Sequence, residues 1–239
     1  VRVELGEEID PDEFAWAWSR CLVPESGEQG ATAEGAVDDE TPVVASRGSM
    51  PALTQAITRA LIQRRAGELL MLHAGAVCNA RTGRSVAYIA GGGTGKTTLS
   101  VLLGQDYGYL SDETVGIEPG SWRIYPYEKP LSLRTPEGGH PKSEHSPDSL
   151  GLKLPHPEPT LSTLIVMRRS IGTTTASISQ PDFLDIVPEL VPQTSAIVRL
   201  NRPRHMLADL AQAVGGIWLV EYAEGEQVLD WVSDQLGRP

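Results

Sequence analysis

The sequence predicts an α/β fold in which a mixed sheet is flanked by helices. Segments with the apolar pattern of strands and segments with that of helices alternate along most of the 239 residues. One buried strand pattern leads directly into a glycine-rich loop and then into a helical pattern, in "AYIAGGGTGKTTLSVLL". A further strand pattern turns back on itself at "EPGS", residues 118–121, which predicts a hairpin and therefore antiparallel neighbours in the sheet.

Residues 1–66 are predicted to form an N-terminal appendage, and residues 67–239 the larger domain that carries the glycine-rich loop. In the appendage, "VRVEL" and "PVVAS" have strand patterns, and Asp10 or Asp12 is placed to cap a short helix. The segment "MPALTQAITRALIQRR" predicts a longer helix. The stretch 25–40 is rich in Gly, Ala, Glu and Asp, so we expect a mobile acidic loop there.

The larger domain contains strand and helix patterns in alternation and one long irregular segment. Strands are expected in "SVAYIAG", "YGYLS", "TLSTLIVMRR" and "GIWLVEYAE", and helices in "PDFLDIVPELVPQT", "RPRHMLADLAQAVG" and "EQVLDWVSDQLG". Residues 134–159 are rich in Pro, Gly, His and Ser, and a loop of about 26 residues exceeds the ~12–15 at which structureless loops become uncommon. We therefore expect this segment to be mobile without ligand and to belong to a binding site.

The chain is acidic, and this bounds its partners. A formal net charge of −11 and a pI of about 4.9 argue against nucleic acid and anionic membranes as main partners. No apolar run approaches the ~20 residues that span a bilayer, and the acidic N-terminus does not resemble a signal peptide, so a cytoplasmic location is expected. Cys21 and Cys78 have no metal or redox spacing and are predicted to be small core residues.

The glycine-rich loop matches the pattern G-x-x-x-x-G-K-[S/T], except that Ala90 stands in place of the first glycine. Glycines let the chain curl so that successive N–H groups point at one anion, and the positive end of the following helix adds to the same spot. Lys96 is expected to reach the β- and γ-phosphates of a nucleoside triphosphate, and the Thr97 hydroxyl to ligate Mg²⁺. The sequence has no guanine-reading N-K-x-D segment, which favours ATP. The residues expected to bind ATP are Gly91, Gly92, Gly93, Thr94, Gly95, Lys96, Thr97 and Thr98.

The acidic pair Asp112-Glu113 in "YLSDET" follows the next strand pattern, 16 residues after Lys96. A strand beside the strand of the loop would bring its end close to the phosphates. An acid there can hold Mg²⁺, orient it through water, or take a proton from an attacking hydroxyl, whereas Ser-Asp-Glu in isolation is common in surface turns. His73 lies in the apolar segment "LLMLHAGAV", where a histidine is more often a core residue than a catalyst.

The order of "LHAGAV", "GRSVAYIAGGGTGKTTLSVLL", "YGYLSDETVGI" and "YPYEKPLSLR" resembles the catalytic domain of bacterial HPr kinase/phosphorylase and its shorter relatives. The match covers roughly residues 70–135. This resemblance implies a P-loop mixed sheet like that of HPr kinase and PEP carboxykinase. It implies that Asp112 is the base that deprotonates an acceptor hydroxyl and that His73 assists it. It also implies that Glu113 and Thr97 serve the metal.

The sequence departs from this family at three places. Glu113 stands where the family has Asp, and the downstream stretch that serves reverse phosphorolysis in full HPr kinases has no clear counterpart. The first 65 residues or so are unlike the regulatory domain of those enzymes.

Phosphoryl transfer also needs cations near the γ-phosphate. The arginines expected there are Arg134, which ends the "KPLSLR" segment, and Arg168, which ends a buried strand pattern.

Two classes of function remain open on the sequence. The first is an ATP- and Mg²⁺-dependent kinase that transfers the γ-phosphate to a hydroxyl of a protein, a peptide or a small molecule. The second is a non-catalytic nucleotide-binding sensor or partner subunit, and an ATPase lies between the two. The acidic pair and His73 favour the kinase, because a pure binder has no use for a base. In that case residues 134–159 would form part of the acceptor site, and a homo-oligomer is compatible with the sequence.

Overall fold

The computed structural model describes residues 1–23, 42–45, 48–133 and 143–239. Their strands are β1 (Arg2–Glu4), β2 (Val43–Ala45), β3 (Leu70–Leu72), β4 (Ala74–Cys78), β5 (Arg84–Ile89), β6 (Gly108–Ser111), β7 (Val115–Ile117), β8 (Ile124–Tyr125), β9 (Leu131–Leu133), β10 (Ser143–His145), β11 (Thr160–Arg169), β12 (Ser177–Ser179), β13 (Thr194–Ser195) and β14 (Ile217–Tyr222). Their α-helices are α1 (Pro11–Ala17), α2 (Met50–Arg64), α3 (Lys96–Gly104), α4 (Phe183–Leu190), α5 (Pro203–Ala213) and α6 (Leu229–Leu236).

The chain divides into two compact units. The first consists of Val1–Arg64 and Glu128–Pro147, and the second of Arg65–Tyr127 and Asp148–Pro239. The segment that begins at Glu128 is tied to the first unit by the ion pair between Arg20 Nη1 and Glu128 Oε1, at 2.7 Å. The predicted division after residue 66 counted this segment with the larger domain, and that division stays a prediction of domain organisation.

The described residues of the first unit form two small strand pairs and two α-helices. β1 pairs in parallel with β2, and β9 pairs in antiparallel fashion with β10. The Asp10 side chain accepts hydrogen bonds from the N–H groups of Asp12 and Glu13, at 2.8 and 3.2 Å, and so satisfies the free donors at the start of α1. The predicted cap of this helix is therefore confirmed at Asp10. The predicted acidic loop at 25–40 lies outside the described residues.

The second unit is built on a six-stranded mixed sheet with the strand order β12-β14-β11-β5-β4-β6. β5, β11 and β14 are parallel neighbours, while β4, β6 and β12 run antiparallel to the strands beside them. A separate antiparallel sheet has the order β13-β3-β7-β8 and includes the hairpin predicted at residues 118–121. The mixed α/β class predicted from the sequence is confirmed.

Both faces of the six-stranded sheet are buried, because alternate residues of its strands enter two different cores. On β5, Val86 and Tyr88 pack with side chains of α3 and α6, whereas Ala87 and Ile89 pack with side chains of α4 and α5. Burial on both sides accounts for the near-continuous apolar runs of β5 and β11 in the sequence. The carboxyl ends of these two parallel strands meet at one edge, where the glycine-rich loop begins.

Two sequence expectations differ from the structure. The segment 134–159 is expected from the sequence to lack regular structure, but residues 143–145 form β10, which pairs with β9. Residues 134–142 of this segment lie outside the described part of the chain. The apolar segment "ELLMLHAGAVCN" is divided at His73 into β3 and β4, which belong to different sheets. Apolar patterning did not reveal this break, since both strands are fully buried.

Neither cysteine is in a disulfide, and the helices are short. Cys21 and Cys78 are not joined to each other, and burial raises the pKa of the Cys21 thiol to about 12. Within the described ranges, no helix combines the length and the apolar composition that crossing a bilayer requires.

Candidate functional site

The glycine-rich loop, residues 90–95, connects the end of β5 to the start of α3 at the carboxyl edge of the sheet. Gly93 and Gly95 have φ angles of +78° and +102°, a region that side-chain-bearing residues rarely adopt. Among the described residues, and apart from the immediate chain neighbours, no atom lies within 4 Å of the position that a Cβ atom would take at Gly91, Gly92 or Gly93. The open space beside these glycines lets an anion approach the backbone closely, as a phosphate-binding loop requires.

Lys96 is the first residue of α3, and only 7% of its surface is exposed. Its Nζ atom donates hydrogen bonds to the carbonyl oxygens of Ala90, at 2.5 Å, and Gly91, at 3.2 Å. The ammonium group therefore folds back against the beginning of the loop. Burial lowers the pKa of Lys96, while the nearby charges of Asp112 and Glu113 oppose this change. A phosphate oxygen can replace the two carbonyl groups, since an anionic acceptor binds an ammonium group more strongly.

Asp112 follows β6, and only 5% of its surface is exposed. The Thr97 hydroxyl donates a hydrogen bond to its Oδ2 atom at 3.0 Å, and the Tyr109 hydroxyl donates to its Oδ1 atom at 3.1 Å. Mg²⁺ prefers oxygen ligands, and in kinases it is usually held by one or two protein groups together with phosphate oxygens and waters. A hydroxyl and a carboxylate in contact beside the loop fit that requirement. Among the described residues, no three His, Cys, Asp or Glu side chains form a metal cluster of their own.

His73 lies at the break between β3 and β4, where the charges of the acidic pair act on its imidazole. Its backbone N–H donates a hydrogen bond to the carbonyl oxygen of Gln193 at 2.7 Å. Burial lowers the pKa of the imidazole, and so does the positive charge of Lys96, whereas Glu113 and Asp112 act in the opposite direction. A lowered pKa keeps the imidazole neutral at pH 7, and a neutral imidazole has a ring nitrogen that can accept a proton.

Arg168 lies near the end of β11, beyond the last residue that pairs with β5. Its guanidinium group is exposed and forms ion pairs with Glu189 and, at 3.4 Å, with Glu221. Glu189 also lines a cavity of about 280 Å³ that is bounded by the first residues of the glycine-rich loop and the ends of β11 and α4. Arg168 is thus held by two carboxylates at the same edge of the sheet as the loop. Arg134 lies outside the described residues.

The structure brings five of the predicted residues into one site and leaves others at its margin. His73, Lys96 and the acidic pair interact electrostatically, and the Thr97 hydroxyl contacts Asp112 directly. Thr98 is exposed on the first turn of α3.

Sequence reasoning did not single out Tyr109 or Tyr222. The Tyr109 hydroxyl contacts Asp112, and the Tyr222 hydroxyl contacts the Thr94 carbonyl. Tyr109 lies three residues before Asp112, which is the one local signal that pointed to it.

Comparisons with known proteins add little to this description. No family model matches the sequence, and no curated protein matches it. A solved structure described as the Hpr(Ser) kinase/phosphatase from Coxiella burnetii aligns with 70% of this chain and 99% of that chain, at 10% sequence identity and a TM-score of 0.37. At that level of similarity, neither the fold nor the activity of the enzyme transfers to this chain.

Proposed function

We propose that this chain is an ATP- and Mg²⁺-dependent kinase, related to HPr kinases, that transfers the γ-phosphate to a hydroxyl group. The main support is the convergence of Lys96, Thr97, Asp112 and His73 beside the glycine-rich loop at the carboxyl edge of the parallel strands. Ligands of open α/β sheets bind at such edges. Phosphoryl transfer needs a phosphate cradle, metal ligands and a group that accepts a proton or orients the nucleophile, and these residues offer all three.

Nucleotide binding is assigned to the loop and the start of α3. The N–H groups of the loop and the positive end of α3 attract the phosphates. Lys96 exchanges the carbonyl oxygens of Ala90 and Gly91 for oxygens of the β- and γ-phosphates. Bound ATP–Mg²⁺ supplies the phosphoryl group and part of the charge neutralisation. Arg168 and Arg134 are the further cations proposed for the γ-phosphate, and Arg168 would first have to leave Glu189 and Glu221.

Metal binding is assigned to Thr97, Asp112 and Glu113. The Thr97 hydroxyl and Asp112 Oδ2 lie 3.0 Å apart, and this distance supports the proposal because both oxygens can then reach one ion or a water bound to it. Glu113 is half-buried and its charge acts on both Lys96 and His73. These interactions support the proposal that Glu113 serves the metal, directly or through water.

Acceptor activation is assigned to Asp112 with His73 as its helper. The hydroxyl oxygen of the acceptor forms a bond to the γ-phosphorus, the bond from that phosphorus to the ADP oxygen breaks, and the hydroxyl proton passes to the protein. Asp112 takes this proton in the proposed mechanism, and His73, on whose imidazole the charge of Asp112 acts, assists it. Both oxygens of Asp112 already accept hydrogen bonds. If Asp112 serves only the metal, His73 is the next candidate for the base.

The acceptor is a serine or threonine of a protein or peptide, or a hydroxyl of a small molecule. The second candidate function, a nucleotide-binding sensor or an ATPase, is favoured by the double engagement of the Asp112 carboxylate, which reduces its freedom to act as a base. ATP turnover in the presence and absence of possible acceptors separates the two functions, because only a kinase is strongly stimulated by an acceptor.

Replacing Lys96 tests the nucleotide site. Lys96→Ala should reduce ATP–Mg²⁺ binding by at least an order of magnitude, because the variant lacks the charge that reaches the β- and γ-phosphates. Lys153→Ala is the matched control, since it removes one lysine charge from a half-exposed side chain of the same unit. Titration calorimetry with ATP–Mg²⁺ measures both variants. Equal affinities for Lys96→Ala, Lys153→Ala and the wild type would remove the nucleotide site and with it the proposed function.

A further inference from the structure

Tyr222 connects the far side of the sheet to the glycine-rich loop. It is the last residue of β14, which is separated from β5 by β11. Its ring is buried in the core that also contains Ala90, the first residue of the loop, and Leu99, on the helix α3 that follows the loop. Its hydroxyl group donates a hydrogen bond to the carbonyl oxygen of Thr94. The backbone of Tyr222 is also fixed, because its carbonyl accepts a hydrogen bond from the N–H of Ser170 at 2.7 Å.

The contact fixes the orientation of one peptide group in the loop. The Thr94–Gly95 peptide is trans, so its C=O and its N–H point in opposite directions. With the Thr94 carbonyl turned towards the Tyr222 hydroxyl, the N–H of Gly95 is turned away from Tyr222. Gly95 is the residue immediately before α3 and has the left-handed φ of +102° that lets the chain enter the helix in this way.

We infer that Tyr222 is a positioning residue of the phosphate site, which holds the Thr94–Gly95 peptide so that the Gly95 N–H donates to a bound phosphate. The inference rests on the proposed function, because it assigns a role within the same nucleotide site. A second hydrogen bond, from the Thr94 hydroxyl to the Gly91 carbonyl at 2.7 Å, closes the loop on itself. Tyr222 adds the link between this closed loop and the rigid sheet, so the peptide does not have to be ordered when phosphate binds.

The position of Tyr222 explains why this role requires a tyrosine. A Cβ atom at Gly95 would lie 3.7 Å from the hydroxyl oxygen of Tyr222, which is an ordinary van der Waals contact. The phenol is therefore long enough to reach from β14 to the loop. Phenylalanine keeps the ring in the core and removes only the donor. Without the donor, the Thr94 carbonyl loses its partner and the peptide is free to rotate, which reduces the fraction of loops with the Gly95 N–H in place.

Tyr222→Phe tests the inference, with Tyr107→Phe as its matched control. The Tyr107 ring is buried in the same core, and its hydroxyl donates to the backbone carbonyl of Gly237, at 3.2 Å, away from the loop. Both variants lose one hydrogen bond to a backbone carbonyl, so similar changes in melting temperature are expected. The affinities for ATP–Mg²⁺ and for pyrophosphate–Mg²⁺ should fall about 3- to 10-fold in Tyr222→Phe and stay unchanged in Tyr107→Phe.

The amide resonance of Gly95, observed in protein labelled with ¹⁵N-glycine, reports the proposed contact directly. Pyrophosphate–Mg²⁺ should shift this resonance strongly in the wild type and in Tyr107→Phe, and the shift at saturation should be smaller in Tyr222→Phe. The inference is overturned if the wild type binds pyrophosphate without moving the Gly95 amide, or if both tyrosine variants bind it as tightly as the wild type. A wild type that binds neither ATP nor pyrophosphate would remove the proposed function itself, which is a different outcome.

Discussion

Asp112 carries a charge that is almost completely removed from water and accepts a hydrogen bond on each carboxylate oxygen. The partners differ in kind. Tyr109 is fully buried and can only hold the carboxylate in place, whereas Thr97 belongs to the predicted metal site. This arrangement orients the carboxylate before any ligand is bound, which is an advantage for a metal ligand, whereas a base is left with less freedom to accept a proton.

Asp112→Asn separates these two roles. The substitution keeps the shape of the side chain and removes its charge, so ATP–Mg²⁺ binding should be largely kept while the rate of phosphoryl transfer falls by ~10²–10⁴-fold, the contribution of a positioned base. Single-turnover transfer and equilibrium ATP binding measure the two effects. Asp106→Asn is the control, because Asp106 is an exposed acid of the same unit. Proportional loss of binding and transfer would mean that Asp112 serves only the metal, and would leave His73 as the candidate base.

At the scale of the elements, the succession of β5, the glycine-rich loop and α3 could be predicted from the sequence. Its strand is a continuous apolar run, its glycines match a known spacing, and its helix starts where that pattern ends. Contacts between distant elements could not be read in this way. Tyr222 and Thr94 are 128 residues apart, and nothing in a local pattern indicates that they meet. The same holds for the approach of His73 to the acidic pair, which was predicted from a resemblance and not from periodicity.

The position of α3 on the sheet depends on a close contact inside the core. The Tyr88 hydroxyl, on β5, lies 2.6 Å from the Ser100 hydroxyl, on α3. Gly75 on the neighbouring strand β4 leaves room for the Tyr88 ring, because a Cβ atom there would lie 2.2 Å from a ring carbon. The glycine is therefore required by packing, and the orientation of the helix that carries Lys96 and Thr97 depends on it.

Gly75→Ala should destabilise the protein by about 1–3 kcal/mol, the usual effect of inserting an atom into a packed core, or more if the ring cannot move. Denaturant unfolding measures this change. Gly225→Ala is the control, since a Cβ atom there would make only an ordinary contact, 3.5 Å from a Leu102 methyl carbon. A Gly75→Ala variant as stable as Gly225→Ala would contradict the close packing of Tyr88 against β4.

At the scale of the whole molecule, an acidic chain with a net charge of −11 presents a few cations at one edge of its sheet. Lys96 is buried and Arg168 is paired with two carboxylates, so neither of these two cations adds to a broad positive surface. The composition predicts that nucleic acid is not a main partner. It could not identify the acceptor, because acceptor recognition depends on the shape of the surface around the site.

The fate of the γ-phosphate tests the central claim most directly. The protein in excess over γ-labelled ATP–Mg²⁺ is incubated with candidate hydroxyl acceptors from the source cells, both proteins and small molecules, and the label is followed through one turnover. The account predicts that the label leaves ATP and enters a phosphoester on a hydroxyl with the wild type and Lys153→Ala, and stays in ATP with Lys96→Ala. Label that remains in bound ATP, or that appears only as inorganic phosphate whatever acceptor is present, would contradict the claim that this chain is a kinase.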